Sequence, residues 1–153
     1  MENKFFLHRI RKDNGTYTAG IEVRDTLDAA IQSFHSQMKM AYNNPLYPNT
    51  TFVSCMVTDE NDNIISRYNE TWTNEEGSDF FVHYIRHSGE TYTKGIEVCQ
   101  NFDDANRSYH THMEYGYGNS KFPDMTFVAA KITGVSGITH KQESWVKPDA
   151  EEN

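Results

Sequence analysis

Histidine, arginine, glutamate and tyrosine occur in this chain as matched pairs: His8 with His83, Arg11 with Arg86, Glu22 with Glu97, His35 with His110, Tyr17 with Tyr92 and Tyr42 with Tyr117. These side chains suit acid–base work and the recognition of anions or flat rings. A carboxylate such as Glu22, one strand over from His8, would raise the histidine pKa. Arginine grips phosphate with a planar fork of donors, and tyrosine rings stack on bases. Each pair also has a plainer role. A histidine alternating with Phe6 and Ile10 on one strand face is more often a core residue, held by a neighbouring hydroxyl or carboxylate. Asp28, His35, Met38 and Tyr42 share one helical flank, as do Asp103, His110, Met113 and Tyr117. Such a flank suits packing against the other copy as well as a ligand pocket.

Other chemistry lacks its residues. His110 and His112 lie two apart and diverge on a helix, and neither a helical His-x-x-x-His pair nor a cysteine pair suggests a metal. Two-histidine phosphoesterases carry a His-x-Thr/Ser string in each half. Here His8-Arg9-Ile10 and His83-Tyr84-Ile85 lack the hydroxyl that would hold phosphate. No glycine-rich phosphate loop or marked nucleophile–base pair occurs, and nothing asks for a cofactor. The expectation is a protein that binds rather than catalyses.

The pairs arise because the chain states one unit twice. FFLHRIRKDNGTYTAGIEV opens the first copy and FFVHYIRHSGETYTKGIEV the second. Phe5 to Thr58 aligns with Phe80 to Thr133 without a gap, and Glu70-Thr71-Trp72 matches Glu143-Ser144-Trp145 after a two-residue deletion. Alternation over Lys4–Lys12 and Asp79–His87 predicts a strand, and Asp13-Asn14-Gly15 and His87-Ser88-Gly89 predict a turn into Thr16–Val23 and Thr91–Val98. The mid-strand glycines Gly20 and Gly95 suggest a bulge or the close approach of another backbone. Thr26 and Asn101 are helix caps. The helices carry Leu27, Ala30, Ile31, Phe34 and Met38 in one copy and Phe102, Ala105, Tyr109 and Met113 in the other, running to about Ala41 and Gly116. A Pro/Asn/Gly loop and two further strands complete each unit. The fold class is α+β: two tandem ββαββ units, each an antiparallel sheet with one helix on a face, forming an intrachain pseudo-dimer. The expected divisions are 1–72, a polar linker at 73–78, 79–145, and an acidic flexible tail at 146–153.

Each unit is short, near the lower limit for an independent core, so the two are expected to share a buried face. Nine phenylalanines, nine tyrosines and two tryptophans supply large apolar payloads for small cores. A formal charge of −8 opposes duplex nucleic acid as a partner. No apolar run suits a signal peptide or a membrane span, so a cytoplasmic location is expected. Cys55 and Cys99 align with Ala130 and Arg24, so neither was duplicated with the unit, and both read as free thiols.

The helix segments TLDAAIQSFHSQMKMAYNN and NFDDANRSYHTHMEYGYGN, with the opening hydrophobic-His strand and the closing Glu-x-Trp, resemble small ββαββ proteins carried by phages and prophages of Gram-positive bacteria. Those occur as single units; this chain resembles two fused ones along nearly its whole length. The resemblance rests on no catalytic motif. It implies a phage accessory role in the host cytoplasm, with antagonism of host defence as one form. The leading expectation is a binder that sequesters a small, nucleotide-like immune signal. A cleft on the pseudo-twofold axis would offer it the paired residues. A protein inhibitor of a host defence factor and a structural phage component, assembled as a homo-oligomer, are the alternatives.

Overall fold

The computed structural model describes residues 3–148. The duplication appears as two ββαββ units. In the first, β1 (Phe5–Asp13), β2 (Thr16–Arg24), α1 (Leu27–Met38), β3 (Thr50–Thr58) and β4 (Ile64–Thr73) form an antiparallel sheet of order β2-β1-β3-β4. In the second, β5 (Phe80–Ser88), β6 (Thr91–Cys99), α2 (Phe102–Met113), β7 (Met125–Gly134) and β8 (Thr139–Val146) repeat it as β6-β5-β7-β8. Val146 ends β8, and the Lys147 amide donates to the Thr126 carbonyl at 2.9 Å, so hydrogen bonding continues past the boundary expected at 145. The rest of the expected tail, 149–153, lies outside the described residues, as do 1 and 2.

Helix boundaries follow from capping. The Thr26 side chain accepts from the Ala29 amide at 3.1 Å, and the Asn101 side chain accepts from the Asp104 amide at 2.8 Å. Both helices end three residues earlier than the sequence suggested. After Met38, Met40 and Ala41 donate to the carbonyls of Gln37 and Met38, tightening the exit. Tyr42 then adopts φ 61°, and Tyr117 repeats this at φ 60°. No residue continues a right-handed helix from that conformation.

Strand alternation sends Leu7, Val53 and Val57 toward α1, where Ala30, Phe34 and Met38 cover them. Val82, Val128, Ala130 and Ile132 meet Ala105, Tyr109 and Met113 of α2 in the same way. The opposite faces of the two sheets meet each other. Phe6, Ile21, Ile85, Phe127 and Ala129 form one shared cluster, and Ile10, Phe52 and Phe81 form another. Phe52 stacks on Phe81 with centroids 5.6 Å apart. The layers therefore run helix, sheet, sheet, helix. Each fully buried large apolar side chain contributes about 1.5–3 kcal/mol, so neither unit can expose this face cheaply.

One polar contact in this interface was not legible in the sequence. Lys131 on β7 is 1% exposed, and its ammonium pairs with the carboxylate of Asp62, 2% exposed, in the β3–β4 turn of the other unit. Gln142 Nε2 on β8 donates to the Asp62 carbonyl at 2.7 Å and to Asp62 Oδ2 at 3.2 Å. Asp59 shapes that turn, accepting the amides of Asn61 and Asn63 at 2.9 Å each. Position 131 aligns with Met56, so the ion pair breaks the symmetry of the repeats and fixes one relative placement. Lys131→Met, which copies the first repeat, leaves the buried Asp62 carboxylate without its counter-ion and should cost about 3–5 kcal/mol in chemical denaturation. Adding Asp62→Asn should recover most of that loss; a double variant as unstable as the single one would contradict the pairing.

Candidate functional site

The paired residues of the sequence fall in three separate places. The first is the sheet–sheet interface. His8 and His83 are 1% and 3% exposed, and their Nδ1 atoms meet at 2.9 Å across the pseudo-twofold axis. His8 Nε2 lies 2.9 Å from Thr58 Oγ1, and His83 Nε2 lies 2.8 Å from Thr133 Oγ1. Hydroxyls, and not Glu22, hold these histidines. With both rings neutral, one Nδ1 donates and the other accepts. The donor ring then presents a bare Nε2 to its threonine hydroxyl, while the acceptor ring donates from Nε2. The result is one continuous chain, Thr58–His8–His83–Thr133, closing the axis where a ligand cleft was expected. Tyr17 packs edge-on against Phe81 at 5.5 Å, and Tyr92 packs against Phe6 at 5.3 Å. Tyr17 Oη also donates to Asp79 Oδ2 at 2.7 Å.

The second place lies between each sheet and the near side of its helix. Glu22 accepts from Arg9 Nε at 2.7 Å and from Arg24. Arg11 Nε donates to Asp13 Oδ2 at 2.6 Å. Arg11 and Asp13 line a depression of about 400 Å³ between the β1–β2 turn and the loop after α1, together with Met40 and Tyr47. In the second unit Glu97 accepts from Ser108 and pairs with His112 Nε2 at 3.1 Å, and Arg86 Nη1 lies 3.1 Å from His112 Nδ1. Tyr84 stacks flat on His112, with centroids 4.0 Å apart at 6°. Tyr84 crosses Gly95, where a Cβ would sit 2.7 Å from the phenol oxygen. Gly20 is covered by Arg9 in the same manner. Both strands stay in register through these glycines, so the close approach is by a side chain, and neither a bulge nor another backbone is involved. Tyr84 and His112 carry no repeat signal, because their counterparts are Arg9 and Gln37.

The third place is the far flank of each helix and the loop that follows it. Here the repeats build one constellation twice. Tyr42 and Tyr117, both in the left-handed region and both 57% exposed, donate their phenols to Glu70 and Glu143 on the edge strands. Trp72 and Trp145 lie beneath, at 5.9 and 6.0 Å. The hydrogen bond to Glu70 pushes the Tyr42 phenol up to about 12, and Glu143 does the same in direction to Tyr117. The Tyr117 hydroxyl, with that of Tyr109, holds the Glu143 carboxyl below the usual range against the opposing effect of burial. Asn44 and Asn119 shape the loops identically, each donating at 2.8 Å to the carbonyl of the residue that caps its helix, Lys39 or Glu114, and accepting an amide two residues on at 3.0 Å. A bulky residue in the left-handed region is strained and persists only where its surroundings hold it. His35 and His110 are exposed on this flank. His35 meets Tyr68 edge-on, and His110 Nε2 lies 3.2 Å from Lys141 Nζ.

The two copies differ beside this constellation. In the second unit Tyr117, Gly118, Phe122, Met125, Trp145 and Lys147 line an open groove of about 530 Å³. In the first, Asn43 and Asn74 replace Gly118 and Lys147, and Asn74 Nδ2 donates to Asn43 Oδ1 at 3.4 Å across the equivalent lip. Tyr47 and Thr50 replace Phe122 and Met125, making that floor more polar. The Glu-x-Trp repeat and the loop after each helix were visible in the sequence, but the hydrogen bond that joins Glu143 to Tyr117 was not.

Cys55 is buried, which pushes its thiol up to about 12, and Cys99 is half-buried; both are free. Among the described residues no group of three or more His, Cys, Asp or Glu side chains is placed to hold a metal ion. No helix among them is long and apolar enough to cross a membrane. Fold and site together define a duplicated α+β pseudo-dimer with an aromatic groove on one repeat. Comparison with protein-family models, curated proteins and solved structures finds no match to the chain.

The histidine pair gives a pH dependence of known sign. Burial first, and then the charge of Lys131, hold both imidazoles well below their ordinary pKa, and His83 adds to the effect on His8. The folded state thus refuses protons that the unfolded chain accepts below about pH 6.5. Stability should be fully present above that pH. It should fall by up to about 1.4 kcal/mol per pH unit for each histidine as the medium becomes more acidic. Denaturant titrations between pH 7.5 and 5.5 should show this slope, and His8→Gln with His83→Gln should flatten it. An unchanged slope in the double variant would assign the dependence elsewhere.

Proposed function

We propose that the protein is a non-enzymatic binder that takes a small, flat, nucleotide-like ligand in the groove beside Trp145. The carrying observation is the groove itself, whose volume of about 530 Å³ falls in the range of small-ligand clefts, roughly 300–1,000 Å³. Trp145, Tyr117 and Phe122 offer ring faces, and stacking a base contributes about 1–3 kcal/mol per ring. Lys147 supplies a cation at the rim for a phosphate. The bond from Tyr117 to Glu143 sets the tyrosine before a ligand arrives, which lowers the ordering cost of binding. The resemblance to phage-borne single units suggests the biological use: sequestration of a nucleotide signal of host immunity, within the host cytoplasm.

A second reading rests on a different observation. Tyr42 and Tyr117 are exposed in both repeats, and Leu46, four residues past Tyr42 in the chain, is 81% exposed, so two related aromatic patches could seat a host protein. Native mass spectrometry against a panel of cyclic nucleotides and ADP-ribose derivatives separates the two. The groove reading expects a discrete mass increase of one ligand per chain, lost in Trp145→Ala. An unchanged mass at saturating ligand across the panel would overturn it and favour the protein partner.

A further inference from the structure

We propose that Arg86 heads a binding site for a phosphate-type oxyanion, present in the second repeat and absent from the first. The starting point is a difference between the copies. Arg11 in the first repeat is neutralised by Asp13, with Nε and Oδ2 at 2.6 Å. Position 88 in the second repeat is Ser where the first has Asp13, and among the described residues no carboxylate lies within ion-pair distance of Arg86. In a protein of net charge −8, this cation stands without a counter-ion among the described residues.

The arginine is nevertheless held in place. Its guanidinium carbon lies 4.1 Å from the centroid of Tyr115 and 5.5 Å from that of Tyr84. Both rings belong to the second repeat alone, since Met40 and Arg9 occupy the matching positions. One donor, on Nη1, is spent on His112 Nδ1 at 3.1 Å. Arginine has no acceptor, so His112 Nδ1 must accept, and the imidazole proton sits on Nε2, donating to Glu97 Oε2 at 3.1 Å. Burial and the Arg86 charge hold His112 in its neutral form against the pull of Glu97. A neutral histidine orients Arg86 without cancelling its charge, unlike Asp13 in the first repeat. The Nε and Nη2 donors of Arg86 meet no acceptor among the described residues, and together they form the edge that matches two oxygens of a phosphate. The tilted Tyr115 ring lies 4.2 Å from Phe122, a lining residue of the aromatic groove, so the two sites adjoin while using different residues.

The assignment does not depend on what occupies the groove. The test is a titration of the intact protein with inorganic phosphate, following the arginine side-chain Nε–H resonances by NMR at constant ionic strength. Arg86 Nε–H should shift saturably. Ser88→Asp, which imports the carboxylate of the first repeat, should weaken phosphate binding at least tenfold, and Arg86→Gln should abolish it. The reverse exchange, Asp13→Ser, should free Arg11 and leave binding at Arg86 intact. Trp145→Ala should leave it intact as well, even if it destroys nucleotide binding. An Arg86 resonance that ignores phosphate, or a Ser88→Asp variant that binds as before, would overturn the proposal. Loss of phosphate binding in a folded Trp145→Ala protein would also overturn it, placing the anion in the groove.

Discussion

Two imidazoles touching nitrogen to nitrogen at the centre of the molecule set the conditions for everything else. His8 and His83 can lie at 2.9 Å only when one donates and the other accepts, so both must be neutral or share one charge. Their outer nitrogens are answered by Thr58 and Thr133, and no buried side-chain nitrogen or oxygen among the described residues is left without a partner. Satisfied in this way, the polar chain can sit inside an aromatic interface without the cost of an unpaired group. Phe6, Phe52, Phe81 and Phe127 surround it and supply the apolar area that keeps the sheets together.

Closing the axis buries the paired histidines between the sheets. A symmetric cleft would have shown each repeated side chain twice to one ligand. In its place the surface features lie on the outer, helix-bearing sides, where the two copies are free to differ. They do differ: Gly118 against Asn43, Lys147 against Asn74, Ser88 against Asp13 and Tyr115 against Met40. Each exchange in the second repeat removes an internal polar partner or adds a ring. Lys131 against Met56 has the opposite effect, adding a buried ion pair that fixes how the units sit. Duplication gives the scaffold, and divergence gives the second repeat its distinct surface.

Much of the fold was legible because the chain provides its own comparison. Phe6, His8 and Ile10 matched by Phe81, His83 and Ile85 define one strand face without ambiguity, and Thr26 and Asn101 mark the helix starts through capping chemistry that depends only on local residues. The helix ends were misplaced because tyrosine at a left-handed position carries no sequence signal of the kind glycine gives. Reading matched positions as the functional ones led to His8, Tyr17, His83 and Tyr92, which pack the interface. The same rule passed over Tyr84, Lys131 and His112, whose counterparts have different chemistry. The matched residues divide between the buried interface, with His8 and His83, and the outer surface, with Arg86 and Tyr117.

The most direct measurement is a scalar coupling across the central hydrogen bond. In uniformly ¹⁵N-labelled protein at neutral pH, an N–H···N bond between His8 and His83 should give a detectable ¹⁵N–¹⁵N coupling between the two Nδ1 nuclei, with neither ring showing the shifts of an imidazolium. Each Nε2 should in turn report its threonine partner. Absence of that coupling under conditions where both Nδ1 signals are resolved and sharp, or two independently titrating histidines near their ordinary pKa, would mean that the sheets are not closed about this pair.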